Sequence, residues 1–278
     1  MELAGLPAAQ ALAERVRPEI ESLGSRGVTP RLAVVRAGAR PDDLSYEKAI
    51  AKRFAAAGCE IRHAVLPEDC GQSALVREIA LLDGDKTVHG ILVLRPLPPQ
   101  IDAARVASLV SPEKDVDGMN PASLGRILLG ERDAFAPCTA EAVVALLDHY
   151  EIPLAGKRVT IVGRSAVVGR PLMALLLARD ATVSVCHTKT ADLACACHEA
   201  DILVACAGRP GLVTAEHVGA CCTVVDVGVN MVEGRLTGDV AAAARAKALN
   251  FSPVPGGVGA LTGAVLLAHT VRAAGKAV

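Results

Sequence analysis

Aromatic side chains are almost missing from this chain: of 278 residues, two are Tyr, three are Phe and none is Trp. Surfaces that stack nucleic-acid bases draw on exposed rings, so such a platform is excluded. A surplus of positive charge is missing too. Lys and Arg number 29 against 30 Asp and Glu, whereas binding a phosphate backbone requires an excess of cations. No apolar run approaches the ~20 residues of a membrane-spanning helix. The longest, 171–178 and 259–269, are too short or carry polar residues. The first twenty residues lack the basic flank and apolar stretch of a signal peptide. The nine Cys include no CxxC pair. Cys186, His187, Cys195, Cys197 and His198 crowd one region without metal-ligand spacing, so no metal is expected, and the thiols read as small hydrophobes in a reducing compartment. A cytoplasmic protein that binds neither nucleic acid nor membrane is expected.

What is present is an alternation. Runs rich in Val, Ile and Leu at 31–35, 61–65, 90–94, 159–162, 182–186, 202–205 and 223–227 are separated by helical patterns at 43–57, 72–82, 167–178, 191–198 and 239–248. Continuous apolar strands fit a parallel sheet covered on both faces, and the alternation predicts an α/β fold with right-handed crossovers. The first series runs to about Pro137. A helix over 139–150 follows, with Thr139 its expected N-cap, and a second series starts at Lys157. A Pro- and Gly-rich segment, 251–261, precedes a last apolar helix reaching about Val271.

The strongest local signal is Val159-Thr-Ile-Val-Gly163-Arg164-Ser165-Ala-Val-Val-Gly169. A strand ending at Gly163 and a helix opening near Ala166 would turn backbone N–H groups toward a phosphate. The spacing G-x-S-x-x-x-G departs from G-x-G-x-x-G. An NAD site carries an acidic residue about 20 residues beyond the first Gly, but the next strand ends Cys186-His187-Thr188-Lys189. Arg164, Thr188 and Lys189 suit a 2′-phosphate instead, favouring NADP, with NAD the alternative.

Six motifs in order then resemble the methylenetetrahydrofolate dehydrogenase/methenyltetrahydrofolate cyclohydrolase family: Gly90-Ile-Leu-Val with Pro96-Leu-Pro98, Lys114-Asp-Val-Asp117-Gly118, Pro137-Cys-Thr139, Gly163-Arg-Ser165 with Gly169-Arg-Pro171, Asp226-Val-Gly228-Val-Asn230, and Pro253-Val-Pro-Gly-Gly-Val-Gly259. The resemblance covers nearly the whole chain. It implies a two-lobed α/β protein with a cleft between lobes. Residues 1–138 and 260–278 would form the folate-binding lobe and 139–259 a Rossmann-like NAD(P) lobe. It also implies a homodimer joined through the second lobes. Tyr46, Asp117, Pro255, Gly256 and Gly257 would face the folate. Gly163, Arg164, Ser165, Gly169, Thr188 and Lys189 would hold the dinucleotide, with Gly228 and Asn230 near its nicotinamide end.

By that resemblance, oxidation of the methylene bridge needs orientation and a hydride acceptor. Hydrolysis of the methenyl product needs proton transfer, associated in the family with a Lys four residues after the Tyr, a Gln before Pro-Leu-Pro, and the second Asp of Asp-Val-Asp-Gly. This chain has Ile50 at the Lys position and Leu94 at the Gln position, and keeps Asp117. On a helix Ile50 lies about 40° from Tyr46, Arg53 about 20°, and Lys48 and Lys52 about 160° and 120° away. Dehydrogenase activity with weak or absent cyclohydrolase activity is expected. A substitute cation from Lys48, Lys52, Arg53 or Arg95 is the alternative, as is another two-lobed NAD(P) oxidoreductase. A non-catalytic folate binder would predict an eroded dinucleotide turn, which is intact. Ala260 stands where the family often has Pro.

Overall fold

In the computed structural model, which describes residues 1–277, Leu32 to Val35 have no solvent exposure. They form the middle of β1 (Arg31–Ala37), which pairs in parallel with β2 (Glu60–Leu66) on one side and β3 (Gly90–Val93) on the other. A strand with neighbours on both edges and cover on both faces has no side to leave polar, hence its unbroken apolar run. The edge strand β2 carries charge instead, with Arg31–Glu60 and Arg62–Asp85 ion pairs along it, which protects an open edge.

The helices of this unit are α1 (Gly5–Ser25) from Leu12 on, α2 (Pro41–Ala56), α3 (Gln72–Gly84), and the short α4 (Ala103–Ala107) and α5 (Pro121–Leu128). Leu75, Ile79 and Leu82 of α3 recur at helical spacing and pack with Ala33, Val35 and Ile91 in one core. Pro41 opens α2, where its missing N–H is not needed, and Asp42 and Asp43 sit in its first turn, favourable at the positive end of a helix. Residues 12–138 and 263–278 form this unit.

The other unit comprises residues 1–11 and 139–262. After α6 (Cys138–His149) comes a five-stranded parallel sheet in the order β10-β7-β6-β4-β5. Its strands are β4 (Arg158–Val162), β5 (Thr182–Cys186), β6 (Ile202–Ala205), β7 (Thr223–Asp226) and β10 (Asn250–Ser252). The connecting helices are α7 (Gly169–Leu177), α8 (Leu193–His198) and α9 (Ala242–Lys247). A small antiparallel hairpin, β8 (Asn230–Val232) and β9 (Arg235–Thr237), stands apart from the sheet. Helix α10 (Val258–Lys276) follows, its residues from Gly263 on belonging to the first unit.

The structure departs from the sequence reading in several places. The first eleven residues join the second unit rather than the first. Leu3 N donates to Phe251 O at 2.8 Å and Phe251 N to Met1 O at 2.9 Å, because the free edge of β10 offers backbone partners. Thr139 is not the N-cap of α6 but lies inside it. Helix α7 opens at Gly169, not near Ala166, since residues 166–168 complete the turn. Among the described residues α10 alone is long and apolar enough to cross a membrane by length and composition. Its Leu261, Val265, Leu266, Leu267 and Val271 are all buried within the protein, as in a core helix.

Candidate active site

In the unit built on β1–β3, the chain leaving β3 carries Leu94 inward and Arg95 outward. Leu94 is buried, its N–H donating to Val35 O at 2.9 Å. The Arg95 guanidinium reaches Asp117, with Nη2 3.2 Å from Oδ2. These two line a narrow hollow of about 30 Å³ with Ile91, Val93, Leu97 and Asp115. Desolvation pushes the Asp117 pKa upward, opposed first by Arg95 and then by the Cys138 thiol.

The Lys114-Asp-Val-Asp117-Gly118 motif divides its labour. Lys114 Nζ donates to the carbonyls of Asp83 and Asp85 at 2.6 and 2.7 Å, closing the end of α3. Buried Asp115 accepts from Met119 N, Asn120 N and Ser123 Oγ at 2.7–2.9 Å, and burial raises its pKa to about 6. Those two residues build the loop; Asp115 also lines the hollow but its carboxylate is taken up by the loop, leaving Asp117 to meet Arg95.

On α2, Asp43, Glu47, Ile50 and Phe54 form the buried face. Ile50 is only 2 % exposed, while Tyr46 is 39 % exposed. Of the four candidate substitute cations, Lys48 lines a different hollow with Arg36, Glu47 and His63, Lys52 points to solvent, and Arg53 lies beside Gly263 of α10. Arg95 is the one paired with Asp117.

In the other unit, β4 has β5 on one side and β6 on the other. Loops at the carboxyl ends of strands around such a change of direction leave a crevice for ligands. Here the crevice is a hollow of about 370 Å³. Gly163, Arg164 and Ser165 come from the β4 loop, His187, Thr188 and Thr190 from the β5 loop, and Cys206, Ala207 and Arg209 from the β6 loop. Its lining holds two Arg and no carboxylate. The turn is tight: Gly163 has φ +136°, and a Cβ on Gly169 would collide with Gly163 O. Ser165 Oγ accepts from Val168 N at 3.1 Å and Gly169 N at 3.4 Å. The hollow's dimensions, cationic walls and helix N-terminus fit a phosphorylated dinucleotide.

Lys189 does not line the hollow, whereas Arg209, which sequence reasoning passed over, does. Its neighbours are set by a buried acid pair. Asp239 accepts from Ala207 N, Gly208 N and Arg209 N at 2.7, 2.9 and 2.8 Å, and from Asn230 Nδ2 at 2.9 Å. Asp226 accepts from Asp239 N and Val240 N at 2.9 and 3.1 Å. Burial raises its pKa to about 6. Gly228 packs directly against the Asp239 carboxylate. Thus Gly228 and Asn230 are tied into the clamp and are not in the wall of the hollow. Burial, helped by Asp239, pushes the Cys206 thiol up to about 12.

Pro255, Gly256 and Gly257 form the turn before α10, and Gly5 N donates to Gly256 O at 2.7 Å. Cys186 and Cys197 are buried, and Cys195 is exposed. Among the described residues no group of three His, Cys, Asp or Glu is placed to hold a metal.

Two family models match: "Tetrahydrofolate dehydrogenase/cyclohydrolase, catalytic domain" over residues 3–117 and "Tetrahydrofolate dehydrogenase/cyclohydrolase, NAD(P)-binding domain" over 137–278. A Paenarthrobacter aurescens protein named bifunctional protein FolD 1 is 46 % identical over 274 residues, covering 98 % of this chain and 93 % of its own. The crystal structure of a Campylobacter jejuni bifunctional methylenetetrahydrofolate dehydrogenase/cyclohydrolase superposes with a TM-score of 0.97 at 38 % identity, covering 100 % of this chain and 99 % of that one. A Trypanosoma brucei dehydrogenase-cyclohydrolase, complexed with NADP cofactor and inhibitor, superposes with a TM-score of 0.93 at 37 % identity, covering 99 % and 97 %.

Proposed function

Because the chain belongs to the tetrahydrofolate dehydrogenase/cyclohydrolase family, we propose that it oxidises 5,10-methylenetetrahydrofolate to 5,10-methenyltetrahydrofolate with NADP. The observation that carries this reading is the intact Gly163–Gly169 turn opening on a hollow with two arginines and no carboxylate. When bound, NADP supplies the hydride acceptor. The chain's part is to bind and orient. Gly163, Ser165 and Gly169 bring backbone N–H groups within reach of a pyrophosphate, and Arg164 and Thr188 present a cation and a hydroxyl to a 2′-phosphate.

In the folate-binding unit, Asp117 accepts hydrogen bonds from the amino and ring N–H donors of the pterin. Exposed Tyr46 supplies a ring face and a hydroxyl. In the other unit, the backbone of the Pro255–Gly257 turn allows close approach of a ligand. The test is reduced-nucleotide absorbance with methylenetetrahydrofolate and either nucleotide: a signal with NADP is expected, and none with either rejects the activity.

The expectation of weak cyclohydrolase activity finds no support in the relatives, which are named bifunctional. It rests on this chain's own Ile50 and Leu94. A homodimer is supported by the hairpin, where Val229, Met231, Val232 and Leu236 are all exposed, a patch of the kind that marks an interface. Sedimentation of Met231→Glu as a monomer, against a dimer for the parent, is the expected outcome. A cytoplasmic setting accords with nine cysteines that form no disulfide among the described residues.

A further inference from the structure

Three loops contribute to the dinucleotide hollow, and the third, after β6, brings a cation that no motif singles out. Arg209 lines the same hollow as Arg164, His187 and Thr188. Its backbone is not free to wander. Its own N–H and those of Ala207 and Gly208 all converge on the buried Asp239 carboxylate, and Pro210 stiffens the chain immediately beyond it. The guanidinium makes no ion pair to any acid among the described residues, and no carboxylate lines the hollow to claim it. A fixed backbone carrying an uncompensated guanidinium over a ligand hollow is an arrangement suited to an anionic ligand group.

We propose that Arg209 is a specificity-determining residue that reads the 2′-phosphate of NADP, facing it from the β6 loop while Arg164 faces it from the β4 loop. It takes the part that sequence reasoning gave to Lys189. The proposal rests on the NADP reading above and deepens it. A pyrophosphate is common to NAD and NADP and is met by the β4 turn. The 2′-phosphate is the only anion that differs between them, so a cation placed for it changes preference rather than overall affinity. The guanidinium matches phosphate with paired N–H donors, which a Lys ammonium cannot do.

The test compares the parent with Arg209→Gln and Arg209→Lys. Two readouts are used: binding of 2′,5′-ADP and 5′-AMP by calorimetry, and kcat/KM with NADP and NAD. For Arg209→Gln the affinity for 2′,5′-ADP is expected to fall about tenfold, the scale of one charge-assisted hydrogen bond. Binding of 5′-AMP should change less than about twofold on the same scale. The NADP-over-NAD preference should fall with it, and Arg209→Lys should recover part of the loss. Equal losses for both ligands would overturn the proposal, because Arg209 would then act on the shared adenosine or on the fold. Unchanged binding of both would overturn it as well. If the parent itself binds 2′,5′-ADP no better than 5′-AMP, the NADP reading fails first, and the proposal falls with it.

Discussion

The guanidinium of Arg95 and the carboxylate of Asp117 stand 3.2 Å apart in the lining of the hollow that follows β3. Neither is deeply solvated, with side-chain exposures of 32 % and 23 %. Arg95 opposes the desolvation that raises the Asp117 pKa, so removing it pushes that pKa further up. In Arg95→Leu the acid limb of the kcat/KM profile for methylenetetrahydrofolate should move to higher pH. The loss should be several-fold on the acid limb and shrink as pH rises. A profile that does not move would remove Asp117 ionisation from folate binding.

Hydrolysis of methenyltetrahydrofolate should stay close to its uncatalysed rate, and Ile50→Lys alone should not restore it fully. Ile50 is 2 % exposed, and an unpaired charge there costs about 3 kcal/mol of stability. Its pKa would be depressed by the same burial. The double variant Ile50→Lys/Leu94→Gln should hydrolyse faster than either single one. Parent turnover matching its dehydrogenase rate would refute the expectation and make Arg95 the first cation to test.

Ser165 holds the dinucleotide turn through two backbone N–H groups. Replacing it with Ala removes an acceptor of helix-start donors, at about 1 kcal/mol. We expect a lower Tm together with a raised KM for NADP and an unchanged KM for the folate. A rise in the folate KM alone would be contrary to its place in the structure.

Asp226 carries a pH signature. Its folded pKa of about 6 exceeds the ordinary 3.8, so the folded state binds its proton more tightly. This group's contribution is therefore most favourable near pH 4 and is lost as pH rises through 6, by about 3 kcal/mol in all. Asp226→Asn should flatten that part of the stability curve. It should also be less stable throughout, since Asp239 N and Val240 N bond different oxygens of Asp226 and the amide NH₂ would have to face one of these two donors. Urea unfolding at pH 4.5 and 7 measures both effects, and an unaltered slope would contradict the assignment.

The interior strands were legible because a strand buried on both faces must be apolar throughout, and the fully buried β6 matches its expected limits residue for residue. Short elements were not. The hairpin β8–β9 has three-residue strands around Glu233 and Gly234, both at positive φ. That pair is a turn signal, but the strands are too short for a period to show. On the site, the Gly163–Gly169 turn was readable as a local spacing, and Asp117, which lines the hollow after β3, as a motif position. Arg209 and Asp239 were not, because their meaning depends on β6 lying next to β4, a pairing between residues such as Val159 and Ile202, 43 apart in sequence. Lys114 and Asp115 share a motif with Asp117, yet their work is structural, which only their partners reveal.

The pairing of Met1–Leu3 with the segment around Phe251 has a consequence for biosynthesis. Each unit is interleaved with the other along the chain, since residues 12–138 and 263–278 are split by the second unit and residues 1–11 and 139–262 by the first. Residues 1–3 are therefore synthesised about 250 residues before the segment they pair with, and no single truncation point delivers either unit whole. Splitting this protein for study would take two co-expressed fragments or a circular permutation, rather than a cut.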